Sequence, residues 1–238
     1  MTHVAHPYVQ RIGINRDWKS RWFTTDKNKF REYIRTDAAI RRYLEKKLKG
    51  MSVDAVEIER SQNDIRIIIK TSRPGLVIGR SGEGATKLKK ELDMLLRTLK
   101  LDTKPNVKLD IEEIRSPESS AQIVGQMIAE GLEKRLTFRR VMKQTIEKVM
   151  ANRDVEGVRI ILSGRLGGAD MARKEELKKG RIPLQTLRAD IDFARVTARL
   201  PYGAIGIKVW IYRGQVFTDR KSGQADTASR ATDSTRKG

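Results

Sequence analysis

Apolar positions recur along this chain in two periods, and the switches between them predict its elements. Residues 37–49, "DAAIRRYLEKKLK", space Ile40, Tyr43, Leu44 and Leu48 as one helical stripe, with Asp37 as the expected N-cap and Gly50 as the stop. "SVDAVEIER" (52–60) alternates and "IRIIIKT" (65–71) is dense in β-branched residues, so each predicts a strand, with turn chemistry between them in "QND" at 62–64. Pro74 and Gly75 end the second strand, and "GLVIG" has the length of a single helical turn. After Gly82 the helical period returns in Leu88, Leu92, Leu95, Leu96 and Leu99. "NVKLDIEEI" (106–114) alternates again. The predicted order from 37 to 114 is helix, strand, strand, short helix, turn, helix, strand.

A boundary follows at "RSPES", where Ser116 is suited to cap a helix that starts at Pro117. Helices are expected over 117–135 and 137–151, then a strand at 157–164 and a glycine- and charge-rich connection at 165–182. Two long alternating runs follow, 184–200 and 204–213. The second half thus reads as two helices on a small antiparallel sheet. Residues 1–36 show neither period and read as an irregular arm. From 218 the chain has no aliphatic residue larger than alanine, so burial cannot order it. The expected class is α+β, divided into 1–36, 37–115, 116–217 and a tail at 218–238.

Charge narrows the partners. Lys and Arg total 50 against 30 acidic residues, a net charge of +20 in 238 residues. Such an excess points to a polyanionic partner, nucleic acid or an anionic membrane. No apolar run approaches the ~18 residues a membrane span needs, and the N-terminus lacks the apolar core of a signal peptide. No cysteine is present, which excludes disulfides and thiolate metal sites. The excess is uneven: residues 1–50 hold 13 basic and 5 acidic groups, residues 51–115 hold 13 and 11, and residues 116–217 hold 19 and 11. The middle segment is almost neutral.

That neutral segment contains "RPGLVIGRSGE". A phosphate-binding loop of the G-x-x-x-x-G-K-[ST] type has its glycine spacing in Gly79 and Gly84, but Ala85 stands where the lysine must be. A dinucleotide fingerprint fails too, because Gly79, Gly82 and Gly84 run in the reversed spacing. A G-x-x-G turn that clamps a nucleic-acid backbone fits better. Glycine lets sugar and phosphate approach without a Cβ collision, the next helix offers free N–H groups to an anion, and Arg80 adds a positive charge. A bare G-x-x-G is common; its place after two strands, between a short and a long helix and before a third strand, resembles a type II KH domain, with helices on a three-stranded sheet. Gly79, Arg80, Ser81 and Gly82, with Arg73 and Lys87 nearby, are the expected RNA contacts.

The resemblance extends further. "HPYVQRIGI", "WKSRWF", "RPGLVIGRSGE", "FRRVMKQ", "LSGRLGGADMAR", "GRIPLQTLRADID" and "YGAIGIKVWIY" follow one another as in the bacterial family of the third small-subunit ribosomal protein, over about residues 3–213. The tail carries none of these motifs. The resemblance implies a type II KH domain followed by a C-terminal α/β domain, and a place in the head of the cytoplasmic small subunit. It implies binding to small-subunit rRNA and contact with the tenth and fourteenth small-subunit proteins. It also implies lining of the mRNA entry path, where a basic helix helps open structured mRNA. The matching residues are Arg139, Arg140 and Lys143. On a helix these three fall within about a 100° arc, opposite Phe138, Val141, Met142, Ile146 and Val149. Taken alone, such an arc is more often a solvated face.

Other constellations remain more open. Arg11, Arg16, Lys19 and Arg21 are interleaved with Trp18, Trp22 and Phe23, a mixture suited to rRNA contact. Either the aromatics stack on bases, or they pack on the fold and only the cations face RNA. "GRLGGAD" (164–170) reads as a structural glycine turn with Arg165 against rRNA, and Arg188 and Lys208 are further rRNA candidates, with Arg195 and Arg199 near them. Asp190 and Asp192 share one face of a predicted strand, as two metal-site carboxylates would, but ordinary pairing with the abundant arginines is favoured. His3 and His6 lie in the arm, far from any triad-like motif. No cofactor, small-molecule substrate or catalysis is expected. The alternatives are a free KH-type RNA factor, or an NTPase or nuclease, and the second-half motifs and missing catalytic groups weigh against them. The near-neutral KH segment is expected to supply less of the salt-dependent RNA affinity than the regions flanking it.

Overall fold

The computed structural model describes residues 5–61, 64–99 and 106–217. His3, residues 62 and 63 of the expected turn, and the tail from 218 lie outside the described residues. The elements are α1 (Pro7–Gln10), β1 (Ser20–Arg21), α2 (Lys27–Lys47), β2 (Val53–Arg60), β3 (Asp64–Thr71), α3 (Pro74–Ile78), α4 (Glu83–Thr98), β4 (Asn106–Glu113), α5 (Ala121–Glu133), α6 (Phe138–Met150), β5 (Gly157–Gly164), β6 (Arg173–Gly180), β7 (Ala189–Leu200) and β8 (Gly203–Gln215). The fold is α+β, as the two periods predict.

The described strands form two four-stranded sheets. The first has the order β1-β2-β3-β4: β2 is antiparallel to β3, while β1–β2 and β3–β4 are parallel. Its core joins Ile40, Leu44 and Leu48 of α2 and Leu88, Leu92 and Leu96 of α4 to Ile65, Ile67 and Ile69 of β3. Those helical positions are the ones the apolar stripes pick out. The second sheet is antiparallel, in the order β6-β5-β8-β7. The helices α5 and α6 cover one face through Val124, Ile128, Val141 and Ile146, and the other face carries Phe193, Trp210 and Tyr212.

Four features depart from the sequence pattern. The first sheet gains a fourth strand, because Ser20 and Arg21 pair with Ile58 and Glu59. The second departure is α2, which starts at Lys27 and leaves Asp37 inside the helix, buried. Asp37 accepts from Arg60 Nε at 3.0 Å and from Trp22 Nε1 at 2.9 Å. The early turns of α2 carry no core stripe. Their Phe30 and Tyr33 rings pack edge-on against Trp22 instead, which hides the period. Third, residues 117–119 form a 3-10 turn, and Ser120, not Ser116, caps α5 by accepting from Ile123 N. Fourth, the supposed connection at 165–182 contains β6. This strand is an edge, with only Leu177 turned into the core. Its charges suit an edge strand, since they discourage pairing with another chain.

The two halves are tied together by polar contacts. The Ser120 hydroxyl donates to Asp54 of β2, and Gln126 Nε2 donates to the Val53 carbonyl at 2.8 Å. Burial, and then the nearby Asp192, push the Asp54 carboxyl above its ordinary pKa, while the Ser120 hydrogen bond holds it down.

Candidate nucleic-acid interface

The G-x-x-G turn joins α3 to α4. Gly79 has φ 73° and ψ −177°, a region almost restricted to glycine, and Gly82 is left-handed. Close packing demands a further glycine. A Cβ on Gly84 would lie 2.7 Å from the Val77 carbonyl oxygen and 2.8 Å from that of Ile78. With α3 and α4 locked together, Arg80 and Ser81 stand exposed at the tip. Gly82, the N-cap of α4, has no side chain to occupy the first N–H groups of that helix. Arg73 and Lys87 are exposed on either side, and Leu76 and Ile78 leave an apolar strip beside them. The turn therefore offers backbone donors, cations and apolar surface in one place. Glu83 opposes them with one negative charge in the first turn.

Helix α6 is divided cleanly. Val141, Met142, Ile146 and Val149 are buried, while Arg139, Arg140 and Lys143 are exposed on the opposite side. The Arg139 side chain is 74% exposed even with Glu175 3.8 Å away.

The N-terminal cations are placed differently from the expectation. Arg11 is 0% exposed. Its guanidinium donates to the carbonyls of Ala189 (2.7 Å), Pro7 (2.9 Å), Leu184 (3.0 Å) and Thr186 (2.9 Å). The assignment of Arg11 to rRNA is thereby corrected: every face of the group is occupied by the protein's own backbone. Arg16 pairs with Asp190 at 2.6 Å, and Arg21 with Glu57, Glu59 and Asp17. Lys19 lies 5.2 Å from the centre of the Tyr8 ring. Among the aromatics, Trp22 is packed, but Trp18 is 61% and Phe23 88% exposed. The arm thus buries Arg11 and half-buries Arg16, but leaves Lys19 and Arg21 exposed together with two of its aromatics, so it follows neither of the two arrangements left open in full.

Arg165 folds back on its own loop, donating to the Ala169 carbonyl at 2.8 Å and pairing with Asp170. Arg188 is exposed and stacks on Phe217 at 5.2 Å. Lys208 lies opposite Arg195 across the β7–β8 ladder, with Ile161 on its other side. These two cations and Arg199 alternate with the core positions, so they share the outer face of the second sheet. Asp190 and Asp192 are charge partners. Asp190 pairs with Arg16, and Asp192 takes the Ala121 N–H at 2.8 Å and pairs with Arg213. Among the described residues no group of acids or histidines is arranged to hold a metal ion. His6 packs edge-on against Phe193 at 4.8 Å.

The pattern missed Arg173. It sits on the unforeseen strand β6, half exposed, 5.5 Å from the centre of the Phe138 ring. The only sequence signal was a charged run resembling a loop.

Two family models match the chain. One, described as a KH domain, covers residues 39–119, and the other, described as "Ribosomal protein S3, C-terminal domain", covers residues 128–211. Together with the turn they define a KH-type protein with a second, ribosomal-protein unit. The chain is 46% identical over 220 residues to small ribosomal subunit protein uS3 of Caldicellulosiruptor bescii, covering 92% of this chain and 96% of the relative. It is 43% identical over 233 residues to uS3 of Clostridioides difficile, covering 98% of this chain and 83% of the relative. The chain belongs to the uS3 family.

Proposed function

We propose that this chain is a structural, non-enzymatic component of the cytoplasmic small ribosomal subunit. It binds small-subunit rRNA, lines the path by which mRNA enters and helps open structured mRNA. The observation that carries the finer reading is α6, whose Arg139, Arg140 and Lys143 are exposed to solvent while the opposite side is buried. Cations in a row attract single-stranded phosphates without reading sequence, and ribosomal translocation would supply the energy. The G-x-x-G turn, through Gly79, Arg80, Ser81 and Gly82 with Arg73 and Lys87, is a second RNA contact. Arg188 and Lys208, with the exposed Lys19 and Arg21, form the rRNA-facing remainder, and Arg16, paired with Asp190, and Arg165, folded onto its own loop, contribute less to it. The division at 37–115 and 116–217 separates the KH unit from the unit that carries α6. Contacts with the tenth and fourteenth small-subunit proteins belong to the same reading.

The test is translation by ribosomes carrying R139A/R140A/K143A. Messages with a stable hairpin ahead of the decoding site are expected to slow more than unstructured ones. Equal slowing of both would remove the entry-path role.

A further inference from the structure

Phe138 opens α6, and two guanidinium groups flank its ring. Arg139 lies 5.6 Å and Arg173 5.5 Å from the ring centre. One carboxylate oxygen of Glu175 serves both, 3.8 Å from Arg139 and 3.5 Å from Arg173. The placement follows from strand geometry. Residues 173, 175 and 177 alternate onto one face of β6, and Leu177 turns that face towards the helix-side core. Register fixes the same result, since Glu175 opposes Leu162 and Leu177 opposes Ile160, both core residues under the helices. Among the described residues β6 pairs only with β5, so its outer edge is open to a ligand.

We propose that Arg173 is a fourth cation of the single-strand RNA surface on α6, and that Glu175 is an internal competitor which the RNA backbone displaces. This rests on the reading of α6 given above. Arg173 is 50% exposed, Arg139 74% and Glu175 33%, so all three already meet water. Ion pairs this long and this exposed are weak, and a phosphate exchanges with the carboxylate at little cost. Phe138 keeps the two guanidinium groups in place when Glu175 lets go, because a cation is attracted to the ring face. The surface then has two sides, α6 and the edge of β6. Binding that releases Glu175 holds RNA without gripping it, as a strand that must slide requires.

The test uses the full chain and an unstructured oligouridylate, with affinity measured across a salt series. R173A is expected to weaken binding by roughly two- to tenfold and to lower the salt slope by about 0.7, the value for one phosphate contact to a single strand. R173K retains the charge and is expected to keep the slope. E175Q removes the competitor and is expected to tighten binding. If R173A leaves affinity and slope unchanged while R139A/R140A/K143A reduces both, Arg173 is not part of the surface and the α6 reading stands. If the triple variant also changes nothing, the α6 reading itself falls. Unaltered or weaker binding by E175Q overturns the role of Glu175.

Discussion

Arg11 Nε lies 2.7 Å from the carbonyl oxygen of Ala189, a residue 178 positions further along the chain. Three more carbonyls, from Pro7, Leu184 and Thr186, complete the shell of this buried guanidinium. Arg11 therefore pins the start of the chain to the beginning of β7. Replacing it with alanine removes four charge-assisted donors and strands carbonyls that water reaches poorly. Each abandoned acceptor costs about 1–3 kcal/mol. R11A is expected to lower stability by about 3 kcal/mol or more, seen as a reduced urea midpoint. A variant unfolding like the parent would show that the arm does not brace the second half. Deleting residues 1–36 is accordingly no test of RNA affinity, since it removes β1 and the first turns of α2 together with this pin.

The rigidity of the G-x-x-G turn is separable from its charge. A Cβ at Gly84 would meet the Val77 and Ile78 carbonyl oxygens at 2.7 and 2.8 Å, and backbone atoms cannot swing aside. G84A is expected to force α3 and α4 apart and destabilise the protein by about 1–3 kcal/mol. Arg80 is exposed at the tip, so R80A is expected to stay within about 0.5 kcal/mol of the parent. It should nevertheless weaken RNA binding. Thermal melts of both variants, with RNA titrations, check the pair. A G84A protein as stable as the parent would refute the packing argument.

Much of this architecture is legible in the sequence because burial is periodic. Ile40, Leu44 and Leu48, and Leu88, Leu92 and Leu96, mark their helices and become the core. The glycine turn is legible because only glycine suits its backbone. Elements without a core-facing period are harder to see. The early turns of α2 pack on Trp22, and β6 has one core residue among charges. Charge is the least legible property. Arg11, Arg16 and Arg139 all lie within two positions of apolar residues, yet the first is buried by backbone, the second held by Asp190 and the third largely exposed. Which fate each meets depends on partners more than 170 residues away for Arg11 and Arg16, and no local pattern encodes those.

His6 links the same junction to pH. Its ring packs against Phe193, and Nδ1 is buried without a hydrogen-bond partner. Burial first, then the positive charges of Arg195 and Lys19, lower its pKa below the ordinary 6.5, while Asp192 acts in the opposite direction. The folded state therefore favours the neutral ring. The unfolded chain takes up a proton near the ordinary value, so unfolding binds protons between that value and the lowered one. Stability from this group is complete above about pH 6.5 and declines as pH falls through the window below it. Urea midpoints at pH 7.5 and 5.5 are expected to fall with acidification in the parent and to fall less in H6Q, which cannot gain the charge. An equal decline in both proteins would show that other groups govern this range and that His6 titrates alike folded and unfolded.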